Sequence, residues 1–185
     1  MKTKTVNYSD LTMLYLSAKA FDNIAKAKFA EIAENNGKTC YEHPVPAAAT
    51  NAFLAIELYL KLAYAVNHWE QNESSKASPA NSTQYPLGHE LFELFMALPS
   101  AVQSDIQSRC KSMTMDEFEK VLQVNANGFM EWRYIAENRS LTEIDYHDLQ
   151  MVCNAIKEYC SHYMNNKHVN RDEWNVDPHS FTTHF

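Results

Sequence analysis

The segment from Ala47 to Trp69, AAATNAFLAIELYLKLAYAVNHW, constrains this chain more than any other, because its apolar content can be buried only as a helix. Phe53, Ile56, Leu60 and Ala63 recur at steps of three and four, and Leu54, Leu58 and Leu62 form a neighbouring stripe. A helix that is apolar over so much of its circumference belongs in the middle of a bundle. The exceptions are Glu57 and Lys61, one turn apart in the favourable acid-first order. Two structural readings cover them: an exposed pair worth about 0.3–0.5 kcal/mol, or a partly buried clamp that fixes how this helix meets its neighbours. A third gives Lys61 a phosphate or an RNA backbone to hold. The two charges also cut the apolar run short of the ~20 residues that a bilayer span requires.

At 185 residues the chain fits one domain, or one domain with an extension. Its three glycines, Gly37, Gly88 and Gly128, each sit where a helical pattern lapses, and β-branched alternation between tight-turn signals is nearly absent. The expectation is an all-α, up-and-down bundle of about five to six helices over residues 1–166, with an irregular extension over 167–185. A formal charge of −7 excludes the overall basic character of a typical DNA-binding domain, so any nucleic-acid contact must be local. The N-terminus MKTKTVNYSD lacks the apolar core of a signal peptide, which gives a cytoplasmic expectation. Cys40, Cys110, Cys153 and Cys160 show no CxxC and read as free thiols, with Cys153 and Cys160 one heptad apart on one helical face.

In chain order, Ser9 is placed to cap a helix running through Leu11, Leu14, Leu16, Ala20, Ile24, Phe29 and Ile32 before Asn35, Asn36 and Gly37 stop it. A loop with His43, Pro44 and Pro46 leads into the central helix. Gln71 to Pro86, QNESSKASPANSTQYP, is polar and aperiodic and reads as a mobile surface loop. Leu91 to Leu98 form a short helix, Ser100 opens another through Ile106, and Thr114 with Glu117 makes a capping box ahead of Phe118, Val121 and Leu122. The aromatic-rich FMEWRYIAEN follows Gly128, and a last long helix runs from about Asp145 to Asn166.

Three pieces, in this order and spacing, resemble the HEPN superfamily of helical bundles: NAFLAIELYLKLAYAV with its acid and lysine, GHELFELF from Gly88, and WRYIAEN from Trp132. The HEPN-like core spans about residues 47–166. The resemblance implies a homodimeric module that binds RNA, a nucleotide or a partner protein in a defence or toxin–antitoxin setting, with a nucleotidyltransferase-type protein as one such partner. It also implies a polar cluster of Glu57, Lys61, His89, Arg133 and Tyr134, either ligand-binding or structural.

Many superfamily members are metal-independent ribonucleases whose motif is an arginine, a polar residue such as Asn or His, and a histidine after four to six intervening positions, two such motifs meeting across the dimer. The chemistry needs only the RNA 2′-hydroxyl as internal nucleophile, a histidine to move its proton and an arginine to stabilise charge on the phosphate. Here the nearest approach is Arg139 with His147, separated by seven residues, which is longer than that pattern. The alternative function is therefore a divergent endoribonuclease using this pair. The structural reading makes Arg139 a turn residue and His147 a first-turn histidine beside Asp145 and Asp148. A bundle that serves only as an interaction scaffold is the third reading.

His89, after Gly88 at a helix start, either meets a ligand or anchors the preceding loop. Arg133 among Phe129, Trp132 and Tyr134 either stacks a base and clamps its phosphate, or the rings are core and Arg133 pairs with Glu57 or another buried acid. The histidines make no HxH, HxxxH or HExxH pattern, and there is no GxSxG or glycine-rich phosphate loop, so neither a metal nor another cofactor is expected.

Overall fold

A computed structural model describes residues 2–34, 45–75, 82–134 and 145–166. Three long helices, α1 (Tyr8–Glu34), α2 (Val45–Ser75) and α7 (Tyr146–Asn166), form the body. Between α2 and α7 the chain returns through α3 (Leu91–Met96), α4 (Ser100–Ser108), α5 (Met115–Val124) and α6 (Gly128–Arg133). The protein is an all-α bundle. Among the described residues five helices have nine residues or more and two have six.

Side-chain pairings fix the directions of the long helices. Tyr15 lies against Tyr59 and Ala25 beside Ala52, so α1 and α2 are antiparallel. Tyr15 bonds Ser161, Asp22 meets Cys153, and Phe29 stacks on Tyr146 at 3.4 Å between ring centres, so α1 is antiparallel to α7 as well. Hence α2 and α7 run parallel, and the four short helices carry the chain back between them.

Helix α2 sits at the centre as its periodicity requires. Phe53, Ile56, Tyr59, Leu60, Leu62 and Ala63 are all fully buried, and each large apolar side chain removed from water in this way stabilises the fold by about 1.5–3 kcal/mol. Where α6 crosses α2, a Cβ on Gly128 would lie 2.6 Å from the Phe53 ring, so only glycine permits that approach. The capping box forms in full: the Glu117 backbone N–H donates to Thr114 Oγ1, and the Thr114 backbone N–H donates to Glu117 Oε2 at 2.8 Å. These bonds hold the exposed Glu117 carboxyl below its usual pKa.

Two expectations are corrected. The stretch read as a loop from Gln71 to Pro86 begins as the end of α2, which continues to Ser75, and ends as a strand, β2 (Ser82–Pro86). Its partner is β1 (Thr3–Asn7), antiparallel, with Thr3 opposite Pro86 and Val6 opposite Thr83. The pair was hidden because its strands lie about eighty residues apart and no tight turn joins them. Burial of Thr83, whose hydroxyl donates to the Ala65 carbonyl at 2.6 Å, seats this small sheet on α2.

The second correction concerns α1. Leu16, Ala20 and Ile24, expected inside, face outward, with Leu16 40 % and Ile24 45 % exposed. The buried stripe is Leu11, Ala18, Asp22 and Ala25. Small residues there meet the alanine-rich start of α2, where Ala48, Ala49, Ala52 and Ala55 are buried, and short side chains let two helix axes approach closely. Close packing of small residues outweighed the larger transfer energy of leucine and isoleucine. The Ser9 side chain, the 38–44 loop and the 167–185 extension lie outside the described residues.

Candidate functional site

The central helix places Glu57 inside the molecule, and two groups meet its carboxylate. Lys61 Nζ donates to Glu57 Oε1 at 2.7 Å, with both side chains buried, 8 % and 3 % exposed. His89 Nδ1 lies 3.0 and 3.1 Å from the two carboxylate oxygens. Since Glu57 paired with a lysine accepts only, His89 must donate from Nδ1–H. Its other ring nitrogen, Nε2, is then the hydrogen-bond acceptor of the neutral ring. The His89 side chain is 56 % exposed, so a buried carboxylate orients a ring that reaches water.

His89 lies in the irregular link between β2 and α3, just after Gly88. Its ring sits 5.9 Å from that of Phe129, tilted by 30°. The Arg133 guanidinium lies 5.6 Å from the Phe129 ring centre and 5.4 Å from that of Tyr134. Lys61 reaches over the Tyr85 ring on β2 at 5.9 Å. The acid on the central helix therefore orients an imidazole that borders Phe129, and Phe129 in turn borders the Arg133 guanidinium, which also lies against Tyr134. Such a set can stack a planar group and hold an anion beside it.

Of the residues singled out in the sequence, Glu57, Lys61 and His89 are in direct contact, and Arg133 with Tyr134 joins them through Phe129. The expected pairing of Arg133 with Glu57 is not made. Lys61 and His89 already occupy that carboxylate, while Arg133 at the exposed end of α6 turns to the rings instead. His147 is exposed in the first turn of α7, and no contact joins it to this set among the described residues. Arg139 lies outside the described residues. No group of three His, Cys, Asp or Glu side chains that could hold a metal ion occurs among the described residues, and no helix there is long and apolar enough to cross a membrane.

Sequence reasoning missed a second buried acid. Asp22 is 3 % exposed, and its Oδ2 accepts from Lys26 Nζ at 3.0 Å and from Lys157 Nζ at 2.6 Å. Lys26 also donates to Asn154 Oδ1 at 2.9 Å, tying α1 to α7. Burial opposes the charge on Lys157, but the bond to Asp22 and its negative charge prevail and raise the lysine's pKa. Burial, then the nearby Asp22 charge, pushes the fully enclosed Cys153 thiol up, and burial does the same to Cys160. Burial followed by the same acid pushes Tyr146 up to about 12. The signal was an acid at step four from Ala18 and step three before Ala25, on a stripe hidden behind the bulkier one.

The chain matches no protein-family model, no curated protein and no solved structure.

Proposed function

We propose that the protein is a HEPN-like helical binding module whose polar cluster takes a phosphate-bearing, base-stacking ligand, either RNA or a free nucleotide. The observation that carries this reading is the exposed His89 ring, locked onto buried Glu57 and set beside Phe129 and Arg133. Arg133 supplies charge for a phosphate, Phe129 and Tyr134 offer faces for a base, and His89 Nε2 accepts from a hydroxyl or an amine. With a net charge of −7 the attraction is local, so affinity rests on this patch rather than on the field of the whole protein. The likeness to HEPN proteins adds a homodimer and a nucleotidyltransferase-type partner to the proposal.

Titration of the full chain with a labelled single-stranded RNA and with AMP, in calorimetry or fluorescence anisotropy, tests the reading. Arg133→Ala and His89→Ala should each weaken binding roughly tenfold, a loss of about 1.4 kcal/mol. Affinity unchanged by both would remove the site. A purely structural cluster is the competing reading, favoured by the burial of Lys61. It predicts that His89→Ala loosens the link before α3 without any change in ligand affinity.

A further inference from the structure

Helix α1 turns an apolar stripe toward water. Met13, Leu16, Ala20, Ile24 and Ala27 follow one another at steps of three and four, and all five are exposed, Met13 at 57 %, Leu16 at 40 % and Ile24 at 45 %. At about 100° per residue they fall within an arc of roughly 80°. That is the narrow seam of a helix pairing with one other helix, not the broad face of a helix lying on a core. The stripe ends in Glu31 and Glu34, which continue the same steps inside the same arc. Both acids stand near the C-terminus of α1, where the helix dipole disfavours negative charge, and the last turn holds no basic residue. Lys28 Nζ meets Glu31 at 2.8 Å, while Glu34 has no ion-pair partner among the described residues.

A second copy of this chain answers both features. With the two helices laid antiparallel about Ala20, Leu16 of each copy lies beside Ile24 of the other and Met13 beside Ala27. The small Ala20 then sits at the two-fold axis and lets the helices approach. Glu31 and Glu34 come level with positions 9 and 6 of the other copy, where β1 runs into α1. The unbonded backbone N–H groups of that first turn are the positive end of the helix, and exposed Lys4 stands just before it. A parallel pair would instead set Glu31 and Glu34 of both copies against each other at two negative helix ends. We infer that this stripe is the surface through which two copies associate, α1 against α1 and antiparallel. The inference takes from the proposed function only the homodimer, and it is independent of ligand binding at His89.

Sedimentation equilibrium of the full chain between about 1 and 300 µM is the test, since a contact confined to one helix per copy belongs among the weaker associations. The chain should be a dimer at the upper end. Leu16→Glu and Ile24→Glu should each weaken association about tenfold or more, with the melting temperature of the dilute protein unchanged, because both side chains already face water. Met96→Glu, at a comparably exposed apolar position on α3, controls for added charge and should leave association as it is. Glu34→Lys reads the direction: it should weaken an antiparallel pair a few-fold, whereas it would strengthen a parallel one. A monomer throughout the range would leave the stripe to another protein or another part of the chain and overturn the inference and the homodimer together, the RNA and AMP titrations still deciding the ligand reading. A dimer indifferent to Leu16→Glu and Ile24→Glu would keep the homodimer and overturn this surface. A tighter dimer in Glu34→Lys would overturn the antiparallel pairing.

Discussion

The molecule uses one device twice: a buried acid on a long helix with a lysine one turn later. On α2 it is Glu57 with Lys61, and on α1 it is Asp22 with Lys26. Each acid also takes a partner from distant sequence, His89 in the first case and Lys157 in the second. The two differ in what faces water. Asp22 is saturated by two lysines that are themselves about a quarter exposed, beside an enclosed thiol, and this set clamps α1 to α7. Glu57 hides its lysine and offers water an imidazole, whose outer ring nitrogen is open to a hydrogen bond. The same local pairing is a fastener where the far partner is a lysine and a candidate site where it is a histidine beside aromatic rings.

That contrast breaks most visibly at Glu57. Glu57→Gln leaves the Lys61 charge buried with no counter-charge, and such an orphan typically costs about 3–5 kcal/mol. For a chain of this length the melting temperature should fall by roughly 6–20 °C. A drop of under ~1 kcal/mol in urea unfolding would show that water or Tyr85 satisfies the lysine.

Asp22→Asn should cost less, about 1–3 kcal/mol, because Lys26 and Lys157 are exposed enough to turn into water. If Asp22→Asn proves more damaging than Glu57→Gln, the two lysines do not turn into water as their exposure implies, and the clamp on α7 outweighs the buried Glu57–Lys61 pair.

Alkaline pH should loosen the Asp22 side next. Cys153 and Cys160 have thiol pKa values raised from 9.0 by burial, so the folded state keeps protons that the unfolded chain gives up. Their contribution is therefore complete below about pH 9 and is lost as pH climbs toward the raised folded values. Tyr146, pushed up to about 12, and the enclosed Tyr59 act in the same direction. Chemical unfolding followed between about pH 8 and 11 should show stability falling, with a shallower fall in Cys153→Ala. An identical slope in that variant would place the effect on other groups.

The smallest stability change belongs to His89→Ala, under ~1 kcal/mol for a side chain more than half exposed. Its ligand affinity should nevertheless drop while that of Asp22→Asn does not, once both are measured well below their melting temperatures. Loss of binding in both would mean that the cluster depends on the body of the bundle rather than on its own residues.

Much of this was legible beforehand where interactions are local. The burial of α2, the Glu57–Lys61 step, the Thr114–Glu117 cap and the start of α7 near Asp145 all follow from residues three or four apart. The errors share a cause as well. For α1 the expected apolar set held at Leu11, Leu14 and Phe29 but not at Leu16 and Ile24, because fit against the alanines of α2 selected a stripe that carries Asp22. Arg133 was offered Glu57 by charge alone, without sight of the two groups already bound there.

The sequence by itself determined most of the helices, α6 and the last turns of α2 excepted, and that one of them must lie at the centre, because helical period, caps and i,i+4 pairs act within a turn or two of the chain. Tertiary structure alone decided that β1 finds β2 across eighty residues, that Asp22 faces inward, and that His89 rather than Arg133 closes on Glu57. Those outcomes depend on which surfaces fit when distant segments meet, and shape complementarity between helices is not written in the spacing of either one.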